Sequence, residues 1–210
     1  MSSFRYFKIY KPYRMLSQFT GGHGQQPVLS ELGNFPKDVY PVGRLDADSE
    51  GLLLLTNNKK INSLLLNPKN KHERTYYAQV EGIATEKAID ILENRVSIRI
   101  EGQDYLTRPA KASLLEEPEN LPPRHPPVRF RLNKPTSWLS LTLIEGKYRQ
   151  VRKMTAAAGF PTLRLIRISI ENMYLGSMQP GEVQELSEKE FLKQLNLTNK
   201  IHSARKSRSH

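Results

Sequence analysis

The sequence predicts an α+β fold with a mixed, mostly antiparallel central sheet flanked by helices. Strand-like segments recur along the chain, helix-like segments are few, and the two do not alternate as they would in a parallel α/β fold. With 210 residues, 38% of them hydrophobic, the chain is long enough to bury a core. We expect two abutting subdomains, at residues 1–68 and 69–196, and a basic disordered tail at 197–210.

Strands are expected where apolar residues alternate or where β-branched and aromatic residues cluster. These segments are residues 4–10, 75–81, 110–115, 138–144 and 163–170, together with a buried apolar run at 52–55. Glycine and proline in residues 18–36 predict a mobile loop, and five prolines in residues 116–127 predict an irregular connection.

Helices are expected where apolar residues have helical spacing and capping residues precede them. These segments are a turn at 62–66, helices at 85–95 and 148–158, and a last helix that ends near Leu195. Thr85 is in position to cap the second of these. Ser187 and Glu190 have the spacing of a capping box before the last helix, with Leu186 and Phe191 spaced as a hydrophobic staple.

The charge of the chain indicates what it binds. Lys and Arg number 32 against 21 Asp and Glu, so the formal net charge is +11. A charge of this size favours a polyphosphate partner, and we expect nucleic acid, although ordinary solubility charge is the alternative. The absence of cysteine excludes disulfides and thiolate chemistry. The sequence contains no apolar run of about 18 residues and no signal peptide, so we expect a cytoplasmic protein without a membrane span.

An acidic loop, Gly43-Arg44-Leu45-Asp46-Ala47-Asp48-Ser49-Glu50-Gly51, precedes the apolar run. Its first carboxylates have the spacing of a calcium loop. That pattern needs Asp or Asn as its third ligand and Glu at its twelfth position, where this chain has Glu50 and Asn57. A two-metal nuclease needs further clustered carboxylates, and none stands out elsewhere.

Two interpretations of the acidic loop remain. In an extended segment Arg44 and Asp46 point to one face and Leu45 to the other, so Leu45 would anchor the loop while Asp46 faces a site beside a cation. The alternative is a polar turn that contains a local ion pair.

A basic segment, Glu145 to Gly159, is the second candidate for function. On its predicted helix Val151, Met154, Thr155 and Ala158 form an apolar face. Arg149, Lys153 and Ala156 lie opposite that face, and Arg152 lies at its boundary, where it can reach a carboxylate in a cleft. A surface helix with solvated Lys and Arg is the alternative.

Together these segments resemble the pseudouridine synthases, in the branch that acts on bacterial ribosomal RNA. The matching motifs are Phe7-Lys8-Ile9-Tyr10-Lys11-Pro12, Gly43 to Leu53, Arg74-Thr75-Tyr76-Tyr77-Ala78-Gln79-Val80, Glu145 to Met154 and Leu165-Ile166-Arg167. They occur in order, although Tyr10 stands where many members have Asn. Many relatives begin with an RNA-binding domain of the ribosomal protein S4 type, which we expect to be absent here.

The resemblance implies the reaction and its central residues. Uridine would be isomerised to pseudouridine in 23S RNA of the large ribosomal subunit, without metal or cofactor. Asp46 would be the catalytic aspartate, acting as nucleophile or as base, and Arg152 would pair with it. Tyr76 would lie on the flipped uracil, Leu165 would form an apolar wall, and Arg44 would fill the gap left in the stack.

The remaining positions have supporting roles in this interpretation. Lys11, Arg149 and Lys153 would contact phosphates, while Asp48 and Glu50 would shape the loop. We expect a monomer, because no additional apolar stripe is visible in the sequence. Two alternatives stay open, a non-catalytic ribosome-associated RNA-binding protein and a metal-dependent nuclease.

Overall fold

A nine-stranded mixed sheet runs through this computed structural model, which describes residues 4–21, 26–129 and 134–198. The strands are β1 (Tyr6–Lys11), β2 (Tyr40–Pro41), β3 (Glu50–Thr56), β4 (Arg74–Glu81), β5 (Ser97–Ile100), β6 (Gln103–Leu106), β7 (Lys111–Leu115), β8 (Thr136–Leu143), β9 (Thr162–Ile170), β10 (Met173–Tyr174) and β11 (Val183–Leu186). The helices are α1 (Lys59–Leu66), α2 (Glu86–Glu93), α3 (Gln150–Ala157) and α4 (Glu188–Gln194), and 3-10 turns occur at Leu29–Leu32 and Pro68–Asn70.

The order of strands places a late segment of the chain at the centre of the sheet. The main path is β11-β1-β3-β9-β4-β8-β7, with β2 added to β3 and β10 added to β9. Only the β3–β9 pairing is parallel in the described residues. Strands β5 and β6 form a separate antiparallel pair. The predicted fold class, a mixed and mostly antiparallel α+β sheet, is therefore confirmed.

Both faces of the sheet are covered, which explains the uninterrupted leucines of β3. Leu53 and Leu55 belong to one core and Leu52 and Leu54 to the other, and all four are fully buried. Side chains alternate between faces along a strand, so a strand buried on both sides is apolar throughout. The sheet is continuous across residue 68, and the proposed division into two subdomains stays a prediction.

Some helix ends differ from the predictions, because long-range contacts and capping hydrogen bonds determine where a helix begins. α3 begins at Gln150, two residues later than predicted, because Arg149 has left-handed backbone angles (φ 53°, ψ 33°). Thr85 occupies the N-cap position of α2 without a side-chain capping bond. Before α4, Ser187 Oγ accepts a hydrogen bond from the amide of Glu190, as predicted. The Glu190 carboxylate accepts a bond from Gln194 Nε2, so only half of the capping box forms among the described contacts.

Two other predictions, the mobile loop at 18–36 and the tail at 197–210, differ from the structure in part. The described part of the loop at 18–36 is packed rather than free, since Leu29 is fully buried. Leu197 is also fully buried, so the ordered chain extends into the segment predicted as tail. The tail from residue 199 onward lies outside the described residues. Among the described helices, none has the length and apolar character needed to cross a membrane.

Candidate active site

A pocket of about 800 Å³ opens over strands β4 and β9. Its walls come from four segments distant in sequence: the loop after β2, the end of α1 with the residues that follow it, the end of β6 with the residues that follow it, and the connection from β8 into α3. The acidic loop and the basic segment singled out in the sequence therefore meet at one cavity, which Tyr76 and Leu165 from two further motifs also line. The volume falls within the range of about 300–1,000 Å³ that is typical of small-molecule sites.

The backbone of the acidic loop is held in place at Leu45. The Leu45 side chain is buried in the core, as predicted. Ser17 clamps the residue, because its hydroxyl accepts from the Leu45 amide (3.0 Å) and donates to the Leu45 carbonyl (2.8 Å). A turn follows, in which the Ser49 amide donates to the Asp46 carbonyl at 3.0 Å. Nothing in the sequence marked Ser17, which lies in a segment without a regular pattern.

Arg44 and Asp46 both line the pocket, as their alternation with Leu45 predicts. Asp46 keeps 34% of its side chain accessible. Arg44 is exposed, and its side chain makes no hydrogen bond or ion pair among the described residues. Its guanidinium is therefore available to a ligand at the mouth of the pocket.

The expected ion pair between Asp46 and Arg152 is not the one that the structure forms. Arg152 donates to the backbone carbonyl of Asp48 at 2.6 Å, and its Nε lies 3.5 Å from Asp48 Oδ2. Arg149 binds the Asp48 carboxylate with two hydrogen bonds, of 2.9 and 2.7 Å, and lies 3.8 Å from Asp46 Oδ2. The turn after Asp46 directs Asp48 toward α3, so Asp48 takes both arginines and Asp46 faces the cavity.

The charges around Asp48 change its ionisation. Burial alone would raise the pKa of Asp48, but the hydrogen bonds from Arg149 and the charge of Arg152 outweigh burial and lower that pKa below its ordinary value. Burial lowers the pKa of Arg152 from its ordinary value, against the opposing effect of Asp48. An arginine stays protonated in proteins, so the cluster is one carboxylate between two cations.

The floor of the pocket combines an aromatic ring, an apolar side chain and a cation. Tyr76 of β4 and Leu165 of β9 both line it and are nearly buried, with 9% and 6% exposed. Arg167 also lines the pocket and pairs directly with Tyr76 across the two strands. A flat apolar and aromatic floor of this kind can hold a nucleobase.

The expectation that Lys11 contacts a phosphate does not fit the structure. Lys11 is fully buried, and its ammonium donates to the carbonyls of Pro12 (2.8 Å) and Met15 (2.7 Å). Burial lowers the pKa of Lys11 to about 7. The residue braces the chain behind the acidic loop instead of facing a ligand.

Lys153 also has contacts that the sequence did not predict. Its ammonium donates to the Arg99 carbonyl at 2.7 Å and lies 5.1 Å from the centre of the Tyr148 ring. The residue does not line the pocket. A phosphate contact from Lys153 stays a prediction.

Glu145 organises the wall that faces the acidic loop, a role that no sequence pattern indicates. Its buried carboxylate accepts bonds from Tyr105 Oη (2.7 Å), the Arg108 amide (3.0 Å) and Gln150 Nε2 (2.7 Å). The Lys147 ammonium lies 4.8 Å from the Tyr105 ring centre. Tyr105 and Arg108 come from a segment to which the sequence assigned no chemistry.

Next to this wall is Tyr148, which lines the pocket with 65% of its surface exposed. The rim is thus built from tyrosines with lysine ammonium groups over their rings, a combination suited to nucleobases and phosphates. Within the described residues, no group of three or more His, Asp or Glu side chains is arranged to hold a metal ion.

Comparison with known proteins relates this site to RNA modification. The family described as RNA pseudouridylate synthase matches residues 5–157. The ribosomal large subunit pseudouridine synthase E of Vibrio vulnificus is 48% identical over 177 residues, which are 84% of this chain and 73% of that protein. The protein of the same name from Xanthomonas axonopodis is 45% identical over 172 residues, or 81% of this chain and 87% of that one.

Solved structures agree with the sequence comparison. A crystal structure of a pseudouridylate synthase superimposes with a TM-score of 0.73 at 25% identity, covering 93% of this chain and 75% of that one. The human RNA pseudouridylate synthase domain containing 1 has a TM-score of 0.52 at 15% identity, over 93% of this chain and 84% of that one. The second likeness concerns the fold alone.

Proposed function

This chain belongs to the RNA pseudouridylate synthase family, and we propose that it converts a uridine of large-subunit ribosomal RNA to pseudouridine. The observation that carries the proposal is the placement of Asp46, whose carboxylate borders a pocket floored by Tyr76 and Leu165. The choice of RNA rests on the relatives named as large-subunit enzymes.

The reaction exchanges one bond to the ribose for another. The N1–C1′ bond breaks, the uracil turns, C5 bonds to C1′, and the proton on C5 is lost while N1 gains one. The isomerisation is redox-neutral. In our proposal ionised Asp46 either attacks C1′ or removes a ribose proton, and both roles need a carboxylate that faces the substrate.

The target uridine would have to leave its stack to reach Asp46. Flipping costs a few kcal/mol of lost stacking, so a side chain that occupies the gap favours the flipped state. Arg44 is suited to this role because it is exposed at the mouth of the pocket and has no side-chain partner among the described residues. Tyr76 would lie against the flipped base, with Leu165 beside it.

We propose that Arg149 and Arg152 favour the ionised form of the Asp46 carboxylate and help to position it. Arg149 is the cation nearest to Asp46 among the described residues, at 3.8 Å, and Arg152 is anchored on the next turn of the loop. Nearby positive charge favours the ionised form of a carboxylate. We therefore assign Arg152 a positioning role through Asp48 and the loop backbone.

The first test is the Asp46→Asn variant, which keeps the shape of the side chain and removes its charge. We expect RNA binding close to that of the wild type and no pseudouridine, measured by chemical mapping of the RNA after incubation. Asp90→Asn, on the exposed face of α2, is the matched control and should retain full activity. Pseudouridine formation by Asp46→Asn would refute the assignment of Asp46.

The second test concerns the substrate. Pseudouridine mapping of ribosomal RNA from cells with and without the gene should differ at a large-subunit uridine. A difference confined to small-subunit RNA would refute the proposed substrate while leaving the reaction intact. Unchanged RNA of both subunits would instead favour a non-catalytic RNA-binding role.

A further inference from the structure

Arg167 is a buried cation without a protein counter-charge among the described residues. Only 4% of its surface is exposed, and the residue lines the pocket. Its Nε donates to the Leu52 carbonyl at 2.7 Å. Within the described part of the chain its two terminal nitrogens make no hydrogen bond, and no carboxylate forms an ion pair with it. Buried arginines are seldom left in this condition, because an unpaired buried charge is costly.

Neighbouring arginines show the usual arrangement. Arg164, three residues earlier on β9, is 6% exposed and binds the buried Glu50 carboxylate with two bonds of 2.9 Å. Arg74, which also lines the pocket, donates to the carbonyls of Leu65 and His72. Arg74 has no carboxylate partner among the described residues either, but both of its terminal nitrogens donate to carbonyls. Arg167 differs in that its buried Nη2 has no acceptor, and a buried polar group that the protein does not satisfy requires an explanation.

The position of Arg167 indicates what it would bind. It lies directly across from Tyr76 in the β4–β9 pairing and two residues from Leu165 along β9. All three residues line the pocket. In the parallel pairing of β3 with β9, Arg167 is also opposite Gly51, at the end of the acidic loop. Arg167 and Tyr76 line the same pocket, so a base placed against Tyr76 would lie in the cavity that Arg167 also borders.

The chemistry of the reaction supplies a reason for a cation at that edge. When the N1–C1′ bond breaks, its electron pair stays on uracil, and the negative charge spreads from N1 to the two carbonyl oxygens. A fixed cation directed at the place where charge develops lowers the barrier more in a dry site than in water. Formation of the C5–C1′ bond and loss of the C5 proton then restore a neutral ring.

We propose that Arg167 is a catalytic residue that donates a hydrogen bond to a carbonyl oxygen of the flipped uracil. This bond stabilises the uracil anion during the reaction. The inference rests on the function proposed above. In the free enzyme Nη2 is buried without a hydrogen-bond partner among the described residues. Substrate binding then supplies the acceptor that the fold does not provide.

The test compares Arg167→Met, which removes the charge and keeps most of the volume, with Arg167→Lys, which keeps the charge without the planar fork. We expect Arg167→Met to lower kcat by about 10²- to 10³-fold, with KM within about threefold of the wild type. Arg167→Lys should recover part of the rate. In urea, Arg167→Met should be at least as stable as the wild type, whereas Arg164→Met should unfold earlier, because it strands Glu50.

RNA with 2-thiouridine or 4-thiouridine at the target identifies the oxygen involved. Sulfur accepts hydrogen bonds poorly, so the thio substitution at the contacted position should slow the wild type and leave Arg167→Met unaffected. Equal slowing of both enzymes by both analogues, or an unchanged kcat in Arg167→Met, would overturn the proposal for Arg167 alone. Failure of the wild type to form pseudouridine would overturn the proposed function as well.

Discussion

Asp46 and Asp48 have different surroundings although one residue separates them in the sequence. Asp48 binds both Arg149 and Arg152, while Asp46 borders the cavity. The Asp48 carboxylate ties α3 to the loop, and the Asp46 carboxylate stays accessible from the cavity. The sequence identified both carboxylates and both arginines, but it could not decide which of them pair. That choice depends on the direction of a single turn.

The ionisation of Asp48 leads to a prediction about stability. Its folded-state pKa lies below the ordinary value near 3.9, so the stabilisation it gives is complete above that value and is lost as pH falls through the lower folded pKa. We expect Asp48→Asn to be less stable than the wild type in urea at pH 7. The difference should shrink below about pH 4. The Asp90→Asn control should show a small difference at both values, and a gap for Asp48→Asn that widens in acid would contradict the prediction.

Lys11 gives a pH dependence of the same sign in a higher pH range. Its folded-state pKa is about 7, whereas an unfolded lysine titrates near 10.4, so between these values the unfolded chain binds more protons. The stability of the wild type relative to Lys11→Met should therefore rise from pH 7 to about pH 10 and stay constant below pH 7. Urea unfolding at pH 6.5, 8 and 9.5 measures this slope. Lys8→Met, on the same strand, is the control for the loss of a lysine from β1.

At the scale of elements, regular periodicity was enough to predict much of the sheet and the packing face of α3. β8 buries Leu139, Leu141 and Leu143, and α3 buries Val151 and Met154. The start of α3 was not predictable, because the left-handed backbone of Arg149 goes with its bonds to Asp48, which is distant in sequence. The wall made by Tyr105 was missed for a similar reason. Tyr105 is held in the wall by its hydrogen bond to the buried Glu145, and the segment that contains Tyr105 carries no recognisable sequence pattern.

The junction of β3 and β9 depends on glycine at position 51. Gly51 has φ +103°, and a Cβ there would lie 2.4 Å from the Arg167 carbonyl oxygen. We expect Gly51→Ala to destabilise the protein by at least about 2 kcal/mol, since backbone strain and a clash with rigid backbone add together. Gly146→Ala is the matched control, because a Cβ there meets nothing within 4 Å. Similar urea midpoints for the two variants would refute this view of the junction.

At the scale of the whole molecule, net charge and exposed aromatic rings should contribute separately to RNA binding. The charge of +11 makes affinity fall with salt, in proportion to the phosphates neutralised. Stacking of a base on a ring has little salt dependence of this kind. The two contributions can therefore be separated by their response to salt.

Tyr148 provides the test of this separation. Tyr148→Leu should weaken RNA binding by about 1–3 kcal/mol and leave the slope of affinity against salt unchanged. Tyr174→Leu is the matched control, since Tyr174 is similarly exposed (58% against 65%) and does not line the pocket. A changed salt slope in Tyr148→Leu, or an equal loss in the control, would contradict a stacking role.

The central place of β9 has a consequence for when a newly made chain becomes active. β9 lies between β3 and β4, although it follows both in the sequence. During synthesis the early strands leave the ribosome first and can fold with near neighbours, but the strand that joins β3 to β4 in the sheet is missing until residues 162–170 emerge. The same strand carries Leu165 and Arg167. A nascent chain that ends before it therefore carries Asp46, the proposed catalytic aspartate, without the completed pocket, so we expect activity only after β9 has been made.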